Sequence, residues 1–135
     1  MIRALIIALV VSIALPAQAE LYANDTLSLQ TITYAESYDI FSFQTKYIAG
    51  ERIVVVLPPR ESLSFKSLAI TIGKTPTSYA DVVESKQYGG NAFPVWALTE
   101  SEVLRKVSII PYSIGFYHDK IAINTGIGIR IIPIK

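Results

Sequence analysis

The feature that most constrains the fold is a run of five apolar residues, Ile53 to Leu57, that ends at a pair of prolines. Four of the five residues are β-branched, and such residues favour strands. Alternation of apolar and polar residues would mark a half-exposed strand, whereas a continuous run is typical of a strand covered on both faces, as in the middle of an α/β sheet. Pro58 and Pro59 cannot continue a ladder of hydrogen bonds, so we expect the strand to end there.

A helix is predicted directly after this strand, and its start is the best candidate for a binding site. Apolar residues recur there at i, i+3, i+4 and i+7, which predicts one buried helix face made of Phe65, Leu68, Ala69 and Ile72. Ser62 or Ser64 can serve as the N-cap, and Gly73 can serve as the C-cap. The first N–H groups of a helix have no partner within the helix and carry partial positive charge, so an oxyanion can bind them.

Three side chains at this helix start are candidate ligands for an anion: Arg60, Ser62 and Ser64. The planar guanidinium of arginine suits phosphate, and the two hydroxyls add donors to those of the backbone. The alternative is an ordinary helix cap that is preceded by a solvent-exposed arginine. The residues alone leave both interpretations open.

Local patterns predict six further elements. Two helices begin at a capping box, in which a hydroxyl residue is followed three residues later by a carboxylate: Thr33 to Phe41, and a short helix after Thr99. A third helix begins at Thr75-Pro76-Thr77. Strands are predicted at Leu21–Asn24, Ser113–Tyr117 and Ile127–Ile132. Ser42 to Ala49 has no clear period, and we interpret it as a connection.

The first 19 residues have the three-part pattern of a secretory signal peptide. Met1-Ile2-Arg3 is a short basic start, Ala4 to Leu15 is an apolar run, and Ala17-Gln18-Ala19 places small residues at a cleavage site. The run is shorter than the roughly 20 residues that a transmembrane helix needs, and no later run is long enough either. We therefore expect a signal peptide at residues 1–19 and one domain at residues 20–135, without a transmembrane segment.

Composition limits the location and the partners of this domain. The chain has no cysteine, so a secreted form relies on its core rather than on disulfides, which suits the bacterial periplasm. The sequence has 12 basic and 11 acidic residues, and removal of Arg3 makes the two numbers equal. No basic stripe is present, so we expect no nucleic-acid partner.

The sequence has no pattern for catalysis or for a cofactor. His118 is the one histidine and stands beside Asp119, but no further residue has metal-ligand spacing to it. Neither a Gly-x-Ser-x-Gly elbow nor a nucleotide-binding glycine loop occurs. We interpret His118 as a loop residue after a strand, and we expect no enzyme activity, no metal and no cofactor.

The order of several short motifs resembles that of one protein family. Along the chain come Asp39-Ile40-Phe41, Gly50, the apolar strand, Pro59-Arg60-Glu61-Ser62, Phe65, Gly89-Gly90, Glu102-Val103-Leu104 and Pro111 to Phe116. This order resembles the phosphate-binding proteins of ABC transporters, and in particular their small single-lobe periplasmic relatives. The resemblance extends from about Leu21 to Tyr117.

The resemblance implies a fold, a ligand and a partner. The fold is α/β, a single lobe resembling a type II periplasmic binding protein domain, with a mixed sheet covered by helices. Arg60, Ser62 and Ser64 match the family's anion-binding positions and would hold phosphate or a similar oxyanion for an ABC transporter or a membrane sensor. The alternative is a relative that kept the fold without the ligand and acts as a periplasmic protein-interaction module.

Overall fold

The computed structural model describes residues 20–90, 92–118 and 128–135. The predicted signal peptide and Ile127, the first residue of the predicted last strand, lie outside the described residues. Within them the helices are α1 (Tyr34–Phe41), α2 (Leu63–Thr71), α3 (Pro76–Tyr88) and α4 (Glu100–Ile109). The strands are β1 (Glu20–Asn24), β2 (Tyr47–Ile48), β3 (Glu51–Arg52), β4 (Val54–Leu57), β5 (Val95–Trp96), β6 (Ser113–Tyr117) and β7 (Ile129–Ile132).

Five strands form a mixed sheet in the order β5-β4-β6-β1-β7. Strand β4 is parallel to β5 and to β6, whereas β1 is antiparallel to β6 and to β7. Strands β2 and β3 form a separate two-stranded hairpin. The mixed sheet predicted from the resemblance is confirmed, with the apolar run at β4 between the edge strand β5 and the central strand β6.

Strand β4 is covered on both faces, as its continuous apolar run predicts. Val55 and Leu57 belong to one core cluster, together with Phe65 of α2. Val56 belongs to a second cluster, together with Val103 of α4. Because successive side chains of a strand point to opposite faces, α2 and α4 lie on opposite sides of the sheet.

The helix starts follow their local signals with one difference, at α4. Thr33 makes the full capping box, with Glu36 N–H donating to its hydroxyl and Thr33 N–H donating to the Glu36 carboxylate. At α4 the Thr99 hydroxyl accepts from Glu102 N–H, but the Glu102 carboxylate accepts from Leu98 N–H instead of from Thr99. At α2 the N-cap is Ser62, one of the two predicted candidates, and Ser64 lies in the first turn of the helix.

Strand β2 falls in Ser42 to Ala49, the segment that we interpret from sequence as a connection, and β3 follows directly after Gly50. Two-residue strands are too short to show a period. The turn residues Ala49 and Gly50 both have positive φ, 52° and 83°, as a type I′ hairpin turn requires. Phe43, just after α1, also has a positive φ of 66°. Its N–H donates to Ile40 O and closes the helix end, at a position that usually holds glycine.

Helix α4 packs closely on the sheet because β6 has a glycine beneath it. A Cβ added at Gly115 would lie 2.7 Å from Val103 Cγ1 and 2.9 Å from Val107 Cγ2. The buried Asn24 side chain of β1 donates to Val107 O at 2.7 Å and fixes the same helix. This packing determines where the first turn of α4 lies.

Replacing Gly115 with Ala should lower the free energy of unfolding by about 1–3 kcal/mol, because the added methyl group overpacks the contact with α4. Urea unfolding measures the change. In a Val103→Ala background the cost of the same replacement should be smaller, because one of the two clashing methyl groups is absent. An equal cost in both backgrounds would contradict the packing argument.

Candidate functional site

The start of α2 lies beyond the carboxyl end of β4, where an open α/β sheet commonly binds ligands. Ser62 caps the helix: its hydroxyl accepts from Phe65 N–H at 3.1 Å and donates to Pro59 O at 2.6 Å. Both hydrogen bonds are local. The sequence prediction that Ser62 lies at this helix start is correct, but its hydroxyl already has an acceptor and a donor there.

Ser64 is fully buried and holds an anion that belongs to the protein itself. Its N–H donates to Glu100 Oε2 at 2.9 Å, and its hydroxyl donates to the same oxygen at 2.6 Å. Glu100 is the first residue of α4. The carboxylate therefore occupies the positive end of α2, where the sequence predicts an oxyanion.

His118 completes this cluster directly after β6. Its N–H donates to the Ser64 hydroxyl at 3.0 Å, and its Nδ1 lies 2.9 Å from Glu100 Oε2 and 3.0 Å from Ser64 Oγ. Strands β4 and β6 are parallel, so their carboxyl ends lie at the same end of the sheet. His118 therefore lies at the start of α2, although 54 residues of sequence separate it from Ser64.

Sequence reasoning places His118 correctly after a strand but misses its partners. Glu100 is not among the predicted site residues at all. Two signals were available in the sequence. Glu100 is an acidic residue in the first turn of a predicted helix, and His118 is a polar residue at the end of a predicted strand. An acidic first turn is ordinarily explained by the dipole of its own helix, so neither signal points to Ser64.

The arrangement of Ser64, His118 and Glu100 is not that of a catalytic triad. In a triad the histidine bridges the other two residues through its two different ring nitrogens. Here Ser64 and Glu100 both approach Nδ1, and the serine hydroxyl donates to the carboxylate directly. The histidine therefore does not stand between a nucleophile and an orienting acid. Within the described residues, no group of three or more histidine or acidic side chains can hold a metal ion.

Arg60 lies in the turn before α2, but its guanidinium contacts α3 and β5. Its Nη2 lies 3.3 Å from Glu84 Oε2, and its Cζ lies 5.7 Å from the centre of the Trp96 ring. Trp96 in turn stacks on Phe65 at a centroid distance of 6.2 Å. Of the three predicted ligands, the structure brings Ser62 and Ser64 to the start of the helix. The Arg60 side chain lies over Trp96 instead.

The surroundings of Glu100 stabilise its carboxylate in the charged form. Burial raises the pKa of Glu100, but the hydrogen bonds from the Ser64 hydroxyl and N–H, together with the charge of a protonated His118, outweigh it. The pKa of this carboxyl therefore lies below its ordinary value, and the charged form is favoured.

Comparison with known proteins identifies the fold. No family model matches the chain, and no curated protein matches it. A putative phosphate ABC transporter substrate-binding protein with bound phosphate from Clostridium perfringens superposes with a TM-score of 0.68 at 11% identity. PstS from Borrelia burgdorferi gives 0.57 at 18%, and an ABC-type phosphate transport receptor from Vibrio cholerae gives 0.51 at 13%.

These matches cover 86% of this chain and 44–46% of each neighbour, so the chain spans less than half the length of the proteins it resembles. At such low sequence identity, this structural similarity shows the fold alone. The predicted resemblance to phosphate-binding proteins is confirmed at that level, as is the predicted α/β fold with a mixed sheet covered by helices. Within the part of the chain that the structure describes, no helix is long and apolar enough to cross a membrane.

Replacing Glu100 with Gln should lower the free energy of unfolding near pH 7 by about 1 kcal/mol, because a neutral acceptor forms weaker hydrogen bonds and the partly exposed site screens the charge. The pKa of Glu100 is lower in the folded state, so its stabilisation is complete above the unfolded value and is lost as the pH falls through the folded value. The difference between the two proteins should therefore shrink below about pH 5.

Urea unfolding across a pH series measures this difference. Glu61→Gln is the matched control, because Glu61 is an exposed carboxylate close to the same helix start. Its effect should stay near zero throughout. A Glu100→Gln difference that persists undiminished into acid would show that the carboxylate charge does not stabilise the fold.

Proposed function

We propose that this protein is a solute-binding-like protein that binds phosphate or a similar oxyanion at the start of α2. The observation that carries the proposal is the pair of hydrogen bonds from Ser64 to one carboxylate oxygen, at 2.6 and 2.9 Å. The N–H and the hydroxyl already hold an anion in charge-assisted geometry. The likeness in fold to a protein with bound phosphate supports the choice of ligand.

Ligand binding at this position requires Glu100 to leave. A phosphate oxygen would take the two donors of Ser64, and the carboxylate would turn toward solvent, to which its side chain is already 30% exposed. Arg60 can add a further donor, because its pair with Glu84 is a surface contact between side chains that are 40% and 44% exposed. Such pairs contribute about 1 kcal/mol or less, so the guanidinium is readily recruited.

The affinity expected of this site is low. Within the described residues, the donors that we propose for the ligand are the Ser64 N–H, the Ser64 hydroxyl and the Arg60 guanidinium, and the remaining oxygens of the ligand would be in water. Each charge-assisted hydrogen bond that is not made costs roughly 1.5–3 kcal/mol of affinity. The tethered Glu100 carboxylate competes in addition. We therefore place the dissociation constant for phosphate in the millimolar range, about 1 mM, which corresponds to about −4.1 kcal/mol.

The cellular role is part of the same proposal. The basic start, apolar run and small-residue cleavage site of residues 1–19 support export, and the periplasm is the location that we propose. Two structural neighbours are described as an ABC transporter substrate-binding protein and an ABC-type transport receptor. We propose an ABC transporter or a membrane sensor as the partner of the loaded protein.

A second candidate function is that of a protein-interaction module without a ligand. The specific observation in its favour is that the donors of the site already have partners. Ser64 is occupied by Glu100, and Arg60 pairs with Glu84. A site whose polar groups are all paired is stable when empty of ligand, as a fold that has lost its ligand would require.

A thermal melt series with phosphate and sulfate distinguishes the two candidates. For a dissociation constant of about 1 mM, 10 mM phosphate stabilises the folded state by about 1.4 kcal/mol and raises Tm by about 5 °C. Glu100→Ala should bind phosphate at least about tenfold more tightly, because it removes the competing negative charge. Ser64→Ala should lose the response to phosphate.

Glu84→Ala is the matched control for the removal of a carboxylate, because it frees Arg60 but leaves Ser64 and Glu100 paired. Because the freed Arg60 can add a donor, the affinity of this variant for phosphate should rise by about fivefold at most, which is less than the rise expected for Glu100→Ala. If neither the unaltered protein nor Glu100→Ala responds to any of these anions, the oxyanion proposal is wrong and the interaction module is favoured.

A further inference from the structure

We propose that a groove beside the amino end of β4 is a separate ligand site, which takes a small aromatic carboxylate. The groove has a volume of about 390 Å³. Pockets for small organic ligands have volumes of about 300–1,000 Å³, so the groove can hold one such molecule. Its lining includes Phe43, Lys46, Arg52, Val55, Ala92 and Phe93. The Ser64 cluster lies beyond the other end of the strand.

The groove is closed at both of its ends along β4, so it suits a compact ligand. At one end Ile53 N–H donates to Lys46 O at 3.0 Å, and this hydrogen bond joins the connection after α1 to the residue before β4. At the other end β5 begins opposite Val56. One backbone position of β4 remains between these two ends. An extended chain needs more room than that, whereas one functional group of a small molecule does not.

The free backbone position offers one hydrogen-bond donor, the N–H of Val55. Leu57 O accepts from Ala97 N–H on the β5 side of the strand. Backbone groups of successive strand residues point to alternate sides, so those of Val55 point to the β5 side as well. No backbone carbonyl of the described residues accepts the Val55 N–H. A carboxylate oxygen in the groove would supply the missing acceptor.

The charges beside the groove favour an anionic ligand. Lys46 and Arg52 both belong to the lining, and neither forms an ion pair with a described residue. The guanidinium carbon of Arg52 lies 5.7 Å from the centre of the Tyr47 ring, which is a neutral partner. No acidic residue is among the described residues of the lining. Unpaired positive charge of this kind attracts carboxylates and repels amines.

Two phenylalanines provide the apolar part of the site. Phe43 is buried in the same core cluster as Val55 and Ala92, so this part of the lining is held in place by the core. Phe93, in contrast, is 72% exposed. A ring that packs against Phe93 would remove apolar surface of both partners from water. Pairs of aromatic rings gain more than the buried area alone provides, so we expect an aromatic ligand rather than an aliphatic one.

Titration with naphthylacetate tests the site, with binding followed through amide chemical shifts in two-dimensional NMR spectra. The amide signals of Val55, Ala92 and Phe93 should shift until the site is saturated. Naphthylacetamide has the same rings without the charge and should bind at least about tenfold more weakly. This comparison uses the unaltered protein, so it does not depend on the folding of any variant.

Variants then assign the charge to its residues. Lys46→Gln/Arg52→Gln should bind naphthylacetate about tenfold more weakly, because both cations of the lining are removed. Lys66→Gln is the matched control, since Lys66 is an exposed cation on α2 outside the described lining, and it should leave the affinity unchanged. Thermal melts without ligand establish that each variant is folded.

The inference is wrong if naphthylacetamide binds as tightly as naphthylacetate, or if the double variant keeps its affinity. Ser64→Ala separates this site from the oxyanion site: it should lose the response to phosphate and keep the affinity for naphthylacetate. Loss of both would place the carboxylate at the start of α2 and would overturn the inference. A dimer that forms without ligand and requires Lys46 and Arg52 would make a second copy the occupant, which also contradicts the proposal.

Discussion

The contact between Ser64 and Glu100 joins two helices that the sheet otherwise separates. Helix α2 packs on the face of the sheet that includes Leu57, and α4 packs on the face that includes Val56. Their first turns meet only beyond the carboxyl ends of the parallel strands, where no sheet lies between them. Each helix start directs partial positive charge to this place, and the carboxylate at the start of α4 accepts both hydrogen bonds of Ser64 from α2. The position of α4 against Gly115 makes the contact possible.

This contact also decides how an external anion can bind. Glu100 is tethered, so it competes at a high local concentration, whereas a free anion must also give up its translational freedom. Phosphate has more charge and more acceptor oxygens than a carboxylate, and in the binding function that we propose Arg60 would add a donor that Glu100 does not use. Phosphate displaces Glu100 only if its greater charge outweighs the advantage that the tether gives to the carboxylate. In that case the protein binds phosphate weakly; otherwise the fold is complete without a ligand. The same few hydrogen bonds underlie both proposed functions.

The parts of the structure that sequence predicted well are those with local causes. The apolar run of β4 and the helical spacing of α2 lie within a few residues of each other, and the full capping box at Thr33 spans only three. Glu100 and His118 reach Ser64 across 36 and 54 residues, through a sheet order that no local pattern contains. Ser64 was predicted as an anion donor, but the anion came from a distant helix. Arg60 was predicted as a ligand of the anion, whereas its guanidinium lies over the ring of Trp96.

The two ends of β4 differ because its neighbours differ in length. Strand β6 is long enough to pair with β4 from Val54 onward, so its end brings His118 to the start of α2. Strand β5 is two residues long and pairs only with Val56 and Leu57. The carboxyl end of β4 thus leads into a crowded polar cluster, while its amino end borders an open groove.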